Sequence, residues 1–251
     1  MTSILQVRNL TKRFGGLTAV SGLGFEVHEG EILGLIGPNG AGKSTTFNLI
    51  AGTYAADEGE VLFLNAPVLG FKPYEIARRG IMRTFQHNRP FEGMNVLENV
   101  LIGAHTRFER NPFSRKAFLE EAGLRRRAEE LIEFVGLGEL REASVERLSF
   151  GQGRLLEIAR ALAGEPKLVL FDEPAAGLTL AEAERIAAVI RGIAAHGIAV
   201  LLIEHDMHFL LPLAQRVVVL NFGAKIAEGT PEQVRAHPAV VDAYLGDAAA
   251  V

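Results

Sequence analysis

The run Gly37-Pro-Asn-Gly-Ala-Gly-Lys-Ser44 fits the pattern G-x-x-x-x-G-K-[ST]. Residues of these types at this spacing suit one chemistry. Glycines let the backbone curl until successive N–H groups point inward, where they can meet phosphate oxygens. Lys43 can then reach the β- and γ-phosphates, and the Ser44 hydroxyl can ligate Mg²⁺. A helix opening after the glycines adds its positive end. The candidate nucleotide-binding residues are therefore Gly37, Pro38, Asn39, Gly40, Ala41, Gly42, Lys43, Ser44 and Thr45, with Lys43 also a candidate catalytic group. The alternative is an ordinary glycine turn. The apolar run at 32–36 before the loop and the helix-like stretch at 43–51 after it favour phosphate binding.

A second group lies far along the chain. Leu168-Val-Leu-Phe-Asp-Glu-Pro174 puts two carboxylates at the end of an apolar strand. In an open α/β sheet, ligands sit beyond the carboxyl ends of the strands. There Asp172 would orient the shell of a Mg²⁺ ion, and Glu173 would polarise an attacking water as general base. A strand closing in a polar turn at Pro174 is the plainer reading of these residues taken alone.

Both groups need a sheet to bring them together. Short β-like runs occur at 5–7, 24–27, 32–36 and 60–64, and turn residues such as Glu29-Gly30 separate some of them. Residues 95–163 read as mainly helical. Within them 103–112 looks like a loop, Ser114 is a plausible N-cap, and 116–134 is rich in Ala, Leu, Glu and Arg. The fully apolar runs 168–171 and 199–203 suit buried parallel strands, and 180–195 between them suits a helix. The layout predicts one α/β core interrupted by a helical insertion, with extra strands near the start.

Composition bounds the function. The chain has 251 residues, 48% apolar and 22% charged, and a formal charge of -4. A nucleic-acid binder usually carries a basic surplus. Here the one basic cluster, Arg125–Arg127, adjoins Glu120, Glu121, Glu129 and Glu130, so it predicts a salt-bridged helix surface and no nucleic-acid partner. No cysteine is present, which excludes disulfides, thiolate catalysis and Cys-based zinc sites. The N-terminus does not read as a signal peptide, and no apolar run approaches the roughly 20 residues that span a bilayer. Work at a membrane would require docking on another protein.

Residues Leu148-Ser-Phe-Gly-Gln152 precede an amphipathic stretch just upstream of the acidic strand. The order of phosphate loop, Gln86, Ser-x-Gly-Gln, Asp-Glu and His205 resembles the ATPase domain of ABC proteins, over essentially the whole chain. That resemblance implies a single α/β domain: a RecA-like P-loop NTPase core with an antiparallel β-subdomain (about 1–90 and 164–251) and a helical subdomain (about 91–163). It implies ATP as the nucleotide and Mg²⁺ as its ion. It gives Phe14 the role of stacking on adenine, with a β-subdomain core residue as the bland alternative. It gives Gln86 that of contacting Mg²⁺ and sensing the γ-phosphate. It assigns Ser149, Gly151 and Gln152 to the γ-phosphate held by a second ATPase subunit, identical or homologous, and His205 to the switch. Two positions depart from the pattern: Phe150 replaces the usual first Gly of the signature, and Thr179 replaces the usual Asp of the loop after Leu178.

Further segments resemble one branch, the ATP-binding subunits of branched-chain amino acid importers. They are Arg83-Thr-Phe-Gln86, Leu156-Glu-Ile-Ala-Arg160, Asp172-Glu-Pro-Ala-Ala-Gly-Leu178, Glu204-His-Asp-Met207 and Ala243-Tyr-Leu-Gly246. This implies an ATPase on the cytoplasmic, inner face of the cell membrane. Its partners would be transmembrane permease subunits and, through them, a periplasmic or extracellular substrate-binding protein. Related subunits serve urea or amide uptake and lipopolysaccharide export, which remain the alternatives. A soluble ABC ATPase of ribosomes or DNA is disfavoured, because the chain has neither a second such domain nor a long coiled coil. The segment 87–91, directly after Gln86, is the expected permease-docking stretch, with Phe91 and Met94 as anchors of the helical subdomain the alternative reading.

Overall fold

The computed structural model describes residues 2–84, 90–104 and 115–248, without the side chains of 115–121 and 245–248. Two sheets form the frame. The first joins β1 (Ser3–Phe14), β2 (Leu17–His28), β4 (Glu58–Phe63) and β5 (Ala66–Pro67) as an antiparallel sheet in the order β2-β1-β4-β5. The second contains β3 (Ile32–Ile36), β6 (Ile81–Arg83), β7 (Leu168–Asp172), β8 (Ala199–Ile203), β9 (Arg216–Asn221) and β10 (Ala224–Gly229), in the order β10-β9-β3-β8-β7-β6. All of its pairings are parallel except β9 with β10. Strands β3, β7 and β8 are buried at every position, which is why each reads as an unbroken apolar run.

The pleat divides the core in two. Ile32, Ile36, Val169, Phe171, Val200 and Leu202 face one apolar cluster, while Leu33, Leu35, Leu168, Leu170, Leu201 and Ile203 face the other. The first cluster is completed by α3 (Val96–Gly103), α4 (Arg115–Phe134), α5 (Phe150–Leu162) and α6 (Leu180–Ala195). The second is closed by the antiparallel sheet, α1 (Lys43–Ile50) and Ile76 of α2 (Pro73–Arg79). Short helices α7 (Met207–Leu210) and α8 (Pro231–Arg235) and the terminal α9 (Pro238–Ala248) finish the chain. Gly34 is required here because a Cβ would press on the side chain of Leu210 at 2.7 Å.

Several expectations are refined. The first two strands run for 12 residues each, far beyond the apolar cores at 5–7 and 24–27, because one stretch of their length is exposed and polar. Strands β5, β6, β9 and β10 were not anticipated. Among the described residues, the stretch 95–163 holds three helices and two short 3₁₀ turns. Ser114 and most of 103–112 lie outside the described residues. On α4 the basic cluster does pair along the surface, Arg125 with Glu129 at 3.4 Å and Arg127 with Glu130 at 3.3 Å.

One charge network ties the two sheets. Arg216, at the start of β9, donates to both carboxylate oxygens of Glu31 (2.9 and 3.0 Å) and to the Glu26 carbonyl of β2 (2.7 Å), and it pairs with Glu228 of β10. Glu31 is buried. Burial alone would raise its carboxyl, but Arg216 and the backbone and ring of His28 outweigh it and hold Glu31 below the usual carboxylate range. Replacing Arg216 with Met should therefore destabilise the fold at pH 7 by about 2–4 kcal/mol in urea denaturation, somewhat under the range for a fully buried pair because Arg216 keeps partial solvent contact. A depressed folded-state pKa gives stabilisation that is present above the ordinary carboxylate pKa and lost as pH falls through the folded value. The gap between the two proteins should accordingly narrow at acid pH.

Candidate functional site

Strand β3 delivers the chain into the glycine loop, and α1 takes it away. Gly42, the N-cap of α1, adopts φ 99, a left-handed conformation that costs a residue with a side chain. A Cβ there would also collide with the Ala19 carbonyl oxygen, and one at Gly37 with that of Leu220. The loop is thus wedged between β2 and the end of β9. Lys43 is buried, and its ammonium donates to the carbonyl oxygens of Gly37 (2.6 Å) and Pro38 (2.8 Å). From α9 the Tyr244 hydroxyl meets the backbone of Gly37; burial still pushes that phenol up to about 12.

A cleft of about 400 Å³ opens over the loop. Residues 39–45 line it together with Phe14, Leu17, Thr18, Ala19, Phe222 and His205. Phe14 is 43% exposed, so it is no core residue. It is braced edge-on by Tyr54 with ring centres 5.4 Å apart, and the Lys12 ammonium lies 5.3 Å from its ring centre. Leu17, 67% exposed, and Phe222, 87% exposed, extend this apolar wall. Their individual residue types carried no signal in the sequence, because two hairpins from opposite ends of the chain bring them here.

The carboxylates arrive through strand pairing. Asp172 lies opposite Ile203 in the β7–β8 ladder. It is buried and accepts from Arg83 Nη2 at 2.7 Å, while Arg83 Nη1 donates to Asn48 Oδ1 of α1 at 2.6 Å. Arg83 therefore ties β6, β7 and the helix behind the phosphate loop. Glu173 has φ 50, in the left-handed region, and its N–H donates to the Ile203 carbonyl at 3.0 Å. Its Oε1 stands 2.5 Å from His205 Nε2. A carboxylate and an imidazole in contact beside an anion-binding loop can exchange a proton and orient a water.

The signature residues lie elsewhere. Ser149 is the N-cap of α5 and forms a reciprocal box with Gln152: the Gln152 N–H donates to Ser149 Oγ at 3.2 Å, and the Ser149 N–H donates to Gln152 Oε1 at 2.8 Å. Together with Gly151 they border a separate small pocket beside Glu182 and Arg185. The structure does not place them in the cleft of their own chain. Phe150 is exposed and packs beside Gly177. Thr179 has a local task, capping α6: its N–H and hydroxyl donate to Glu182 Oε2 at 3.0 and 2.8 Å and hold that carboxyl below the usual range. Gln86 and residues 87–89 lie outside the described residues. Phe91 is 46% exposed, with the Arg160 guanidinium 5.4 Å from its ring centre.

Known proteins share this fold. Residues 20–176 match the family described as ABC transporter, and residues 224–250 match the branched-chain amino acid ATP-binding cassette transporter family. The chain is 42% identical over 251 residues to the high-affinity branched-chain amino acid transport ATP-binding protein BraF of Pseudomonas aeruginosa, covering 98% of each. It superposes with TM-score 0.86 and 35% identity on an ATP-binding cassette of an ABC transporter in its ADP conformation, over 98% of this chain and 100% of that one. A dimeric ATP-binding cassette in a post-hydrolysis state, bound to ADP and Pi, matches with TM-score 0.76 and 27% identity, over 91% and 99%.

Arg83→Leu should leave the Asp172 carboxylate buried without this cation. We expect a loss of about 2–4 kcal/mol in urea denaturation, partly recovered when Asp172→Asn is added. Additive losses in the double variant would show that the pair does not couple.

Proposed function

The chain belongs to the ABC transporter family, and on that premise we propose that it is the ATP-hydrolysing subunit of an importer of branched-chain amino acids. The observation that carries hydrolysis is the Glu173–His205 contact at 2.5 Å beside the phosphate loop. The amides of the loop and of the first turn of α1 bind the β- and γ-phosphates, and Lys43 exchanges its two carbonyl partners for phosphate oxygens. Phe14 offers the base a π-face. Glu173 takes the proton of the attacking water as general base, and His205 fixes the position of that carboxylate and contacts the γ-phosphate.

The Ser44 hydroxyl, the Asp172 carboxylate and the Gln86 amide oxygen would hold Mg²⁺, being hard oxygen donors of the kind that ion takes. Among the described residues no group of three or more His, Asp or Glu could hold a metal unaided; an ion that arrives with the nucleotide needs none. Once bound, it would neutralise charge developing on the transferred phosphate.

Two chains complete the site. Ser149, Gly151 and Gln152 sit at the N-terminus of a 13-residue helix, where amides favour an anion, and a head-to-tail second subunit would present them to the γ-phosphate. The dimeric cassette with ADP and Pi supports this assembly. No described helix is long and apolar enough to cross a membrane. Docking on permease subunits, which in turn engage a substrate-binding protein, would hold the chain at the cytoplasmic face. The likeness to BraF and the match at 224–250 support branched-chain amino acids as the cargo.

Glu173→Gln should bind ATP as the wild type does, accumulate as an ATP-bound dimer in size-exclusion chromatography, and release phosphate at least about 100-fold more slowly. Wild-type turnover in that variant would remove Glu173 from the role of base. For the base-binding wall, Phe14→Ala should weaken ATP binding by about 1–3 kcal/mol and Phe14→Tyr should not; equal affinities would return Phe14 to a purely structural part. Cargo is tested by purifying the native complex and measuring leucine uptake in vesicles, where ATP-independent or absent uptake would overturn the assignment.

A further inference from the structure

One carboxyl at the rim of the sheet takes no part in the chemistry above. Glu204 lies between Ile203, the last residue of β8, and His205. It is 5% exposed, and no basic side chain of the described residues forms an ion pair with it. Its Oε1 accepts the Ala175 N–H at 2.8 Å, and the carboxyl lies beside the backbone amides of His205 and Asp206. These amides belong to the two segments that carry the reacting pair, for Ala175 follows Glu173 by two positions and His205 is the neighbour of Glu204 itself.

We propose that Glu204 is a positioning residue that clamps the turn after β7 to the segment after β8 and so sets the approach of Glu173 to His205. The role rests on the reading of Glu173 and His205 as the hydrolytic pair. The clamp has a mechanical reason to exist. Glu173 is held at φ 50, where a residue with a side chain is strained, and such a conformation persists only when its surroundings over-determine it. The Glu173 N–H is tied to Ile203, and Glu204 supplies the second tie two residues on. A buried carboxylate without a cation is costly to keep, so the Ala175 amide donated to it across the turn, with the His205 and Asp206 amides beside it, points to a positional task.

The clamp also responds to protons. Burial pushes the Glu204 carboxyl up to about 7; the amides of Ala175 and His205 pull it down, the nearby charge of Glu173 raises it again, and the Asp206 amide lowers it. The titratable groups that bear on it are Glu173 across the turn and His205 and Asp206 on its own segment. An ionised carboxylate accepts amide hydrogen bonds more strongly than the acid does. The firmer grip raises turnover as pH rises through the transition.

The test uses the full-length protein and its Glu204→Ala, Glu204→Gln and Glu173→Gln variants, with ATP affinity, kcat and thermal unfolding measured from about pH 6 to 8. We expect Glu204→Ala to lose about 10- to 100-fold in kcat while its ATP Kd stays within about two-fold of wild type. Glu204→Gln keeps one acceptor for Ala175, so its kcat should lie between those two, and the rise of kcat with pH seen in the wild type should be flattened. If Glu204→Ala unfolds, the Gln variant decides alone. Wild-type kcat in Glu204→Ala, or a pH profile of Glu204→Gln that superposes on the wild type, overturns the clamp while an inactive Glu173→Gln leaves the hydrolytic reading standing. An active Glu173→Gln instead removes that reading and the clamp with it.

Discussion

The backbone ladder β3–β8–β7 is the constraint on which the site depends. In it Ile203 lies opposite both Leu35 and Asp172. Because the three strands run parallel, their carboxyl ends share one rim. The phosphate loop leaves after β3, Glu173 after β7, and His205 just beyond the end of β8. A one-residue slip in either pairing would turn every side chain of a strand to the other apolar cluster. The two-faced core therefore forbids the slip, and the same burial that stabilises the sheet fixes the spacing of the reacting groups.

Charge is handled in different ways at the two ends of the sheet. Asp172 and Glu31 are each buried against an arginine, and Arg216 helps to hold Glu31 below the usual carboxylate range. In each case the arginine also crosses an element boundary, Arg83 reaching α1 and Arg216 reaching β2 and β10. Removing one partner of such a pair leaves an uncompensated charge, which is far more costly than losing a surface pair. Glu204 has amides where the others have guanidinium groups. Amides stabilise a carboxylate less than a cation does, so this is the carboxyl whose protonation moves toward neutrality.

The two halves of the proposed ATP site sit on different surfaces of one chain. The loop, Phe14 and His205 share a cleft, while Ser149 and Gln152 cap a helix outside it. Glu182 joins Thr179 to the segment around Gly151, so the signature turn and the start of α6 are held as one unit. This gives Thr179 a clear local function at a position where the family pattern has Asp. The helix cap needs only a hydroxyl, and threonine supplies it.

The phosphate loop and the acidic pair stood out as candidates from local spacing, and the signature from the family resemblance. Their chemistry depends on neighbours in the chain: a glycine just before a Lys-Ser pair, two carboxylates after an apolar run. The buried strands β3, β7 and β8 were legible for the same reason, since a strand covered on both faces is apolar at every position. Strands half open to solvent were underestimated in length, and β5, β6 and β10 were missed, because alternating or short runs carry little signal; β9 was missed although its run 217–220 is apolar and buried like that of β7. What joins Arg83 to Asp172, 89 residues apart, or Arg216 to Glu31, 185 residues apart, is written nowhere in local order. The same holds for the wall made by Leu17 and Phe222, the contact of Tyr244 with Gly37 and the grip of Glu204 on Ala175. Sequence by itself determined which groups could bind phosphate and move a proton. Only the tertiary structure decided which of them meet, because long-range strand pairing and burial set those distances.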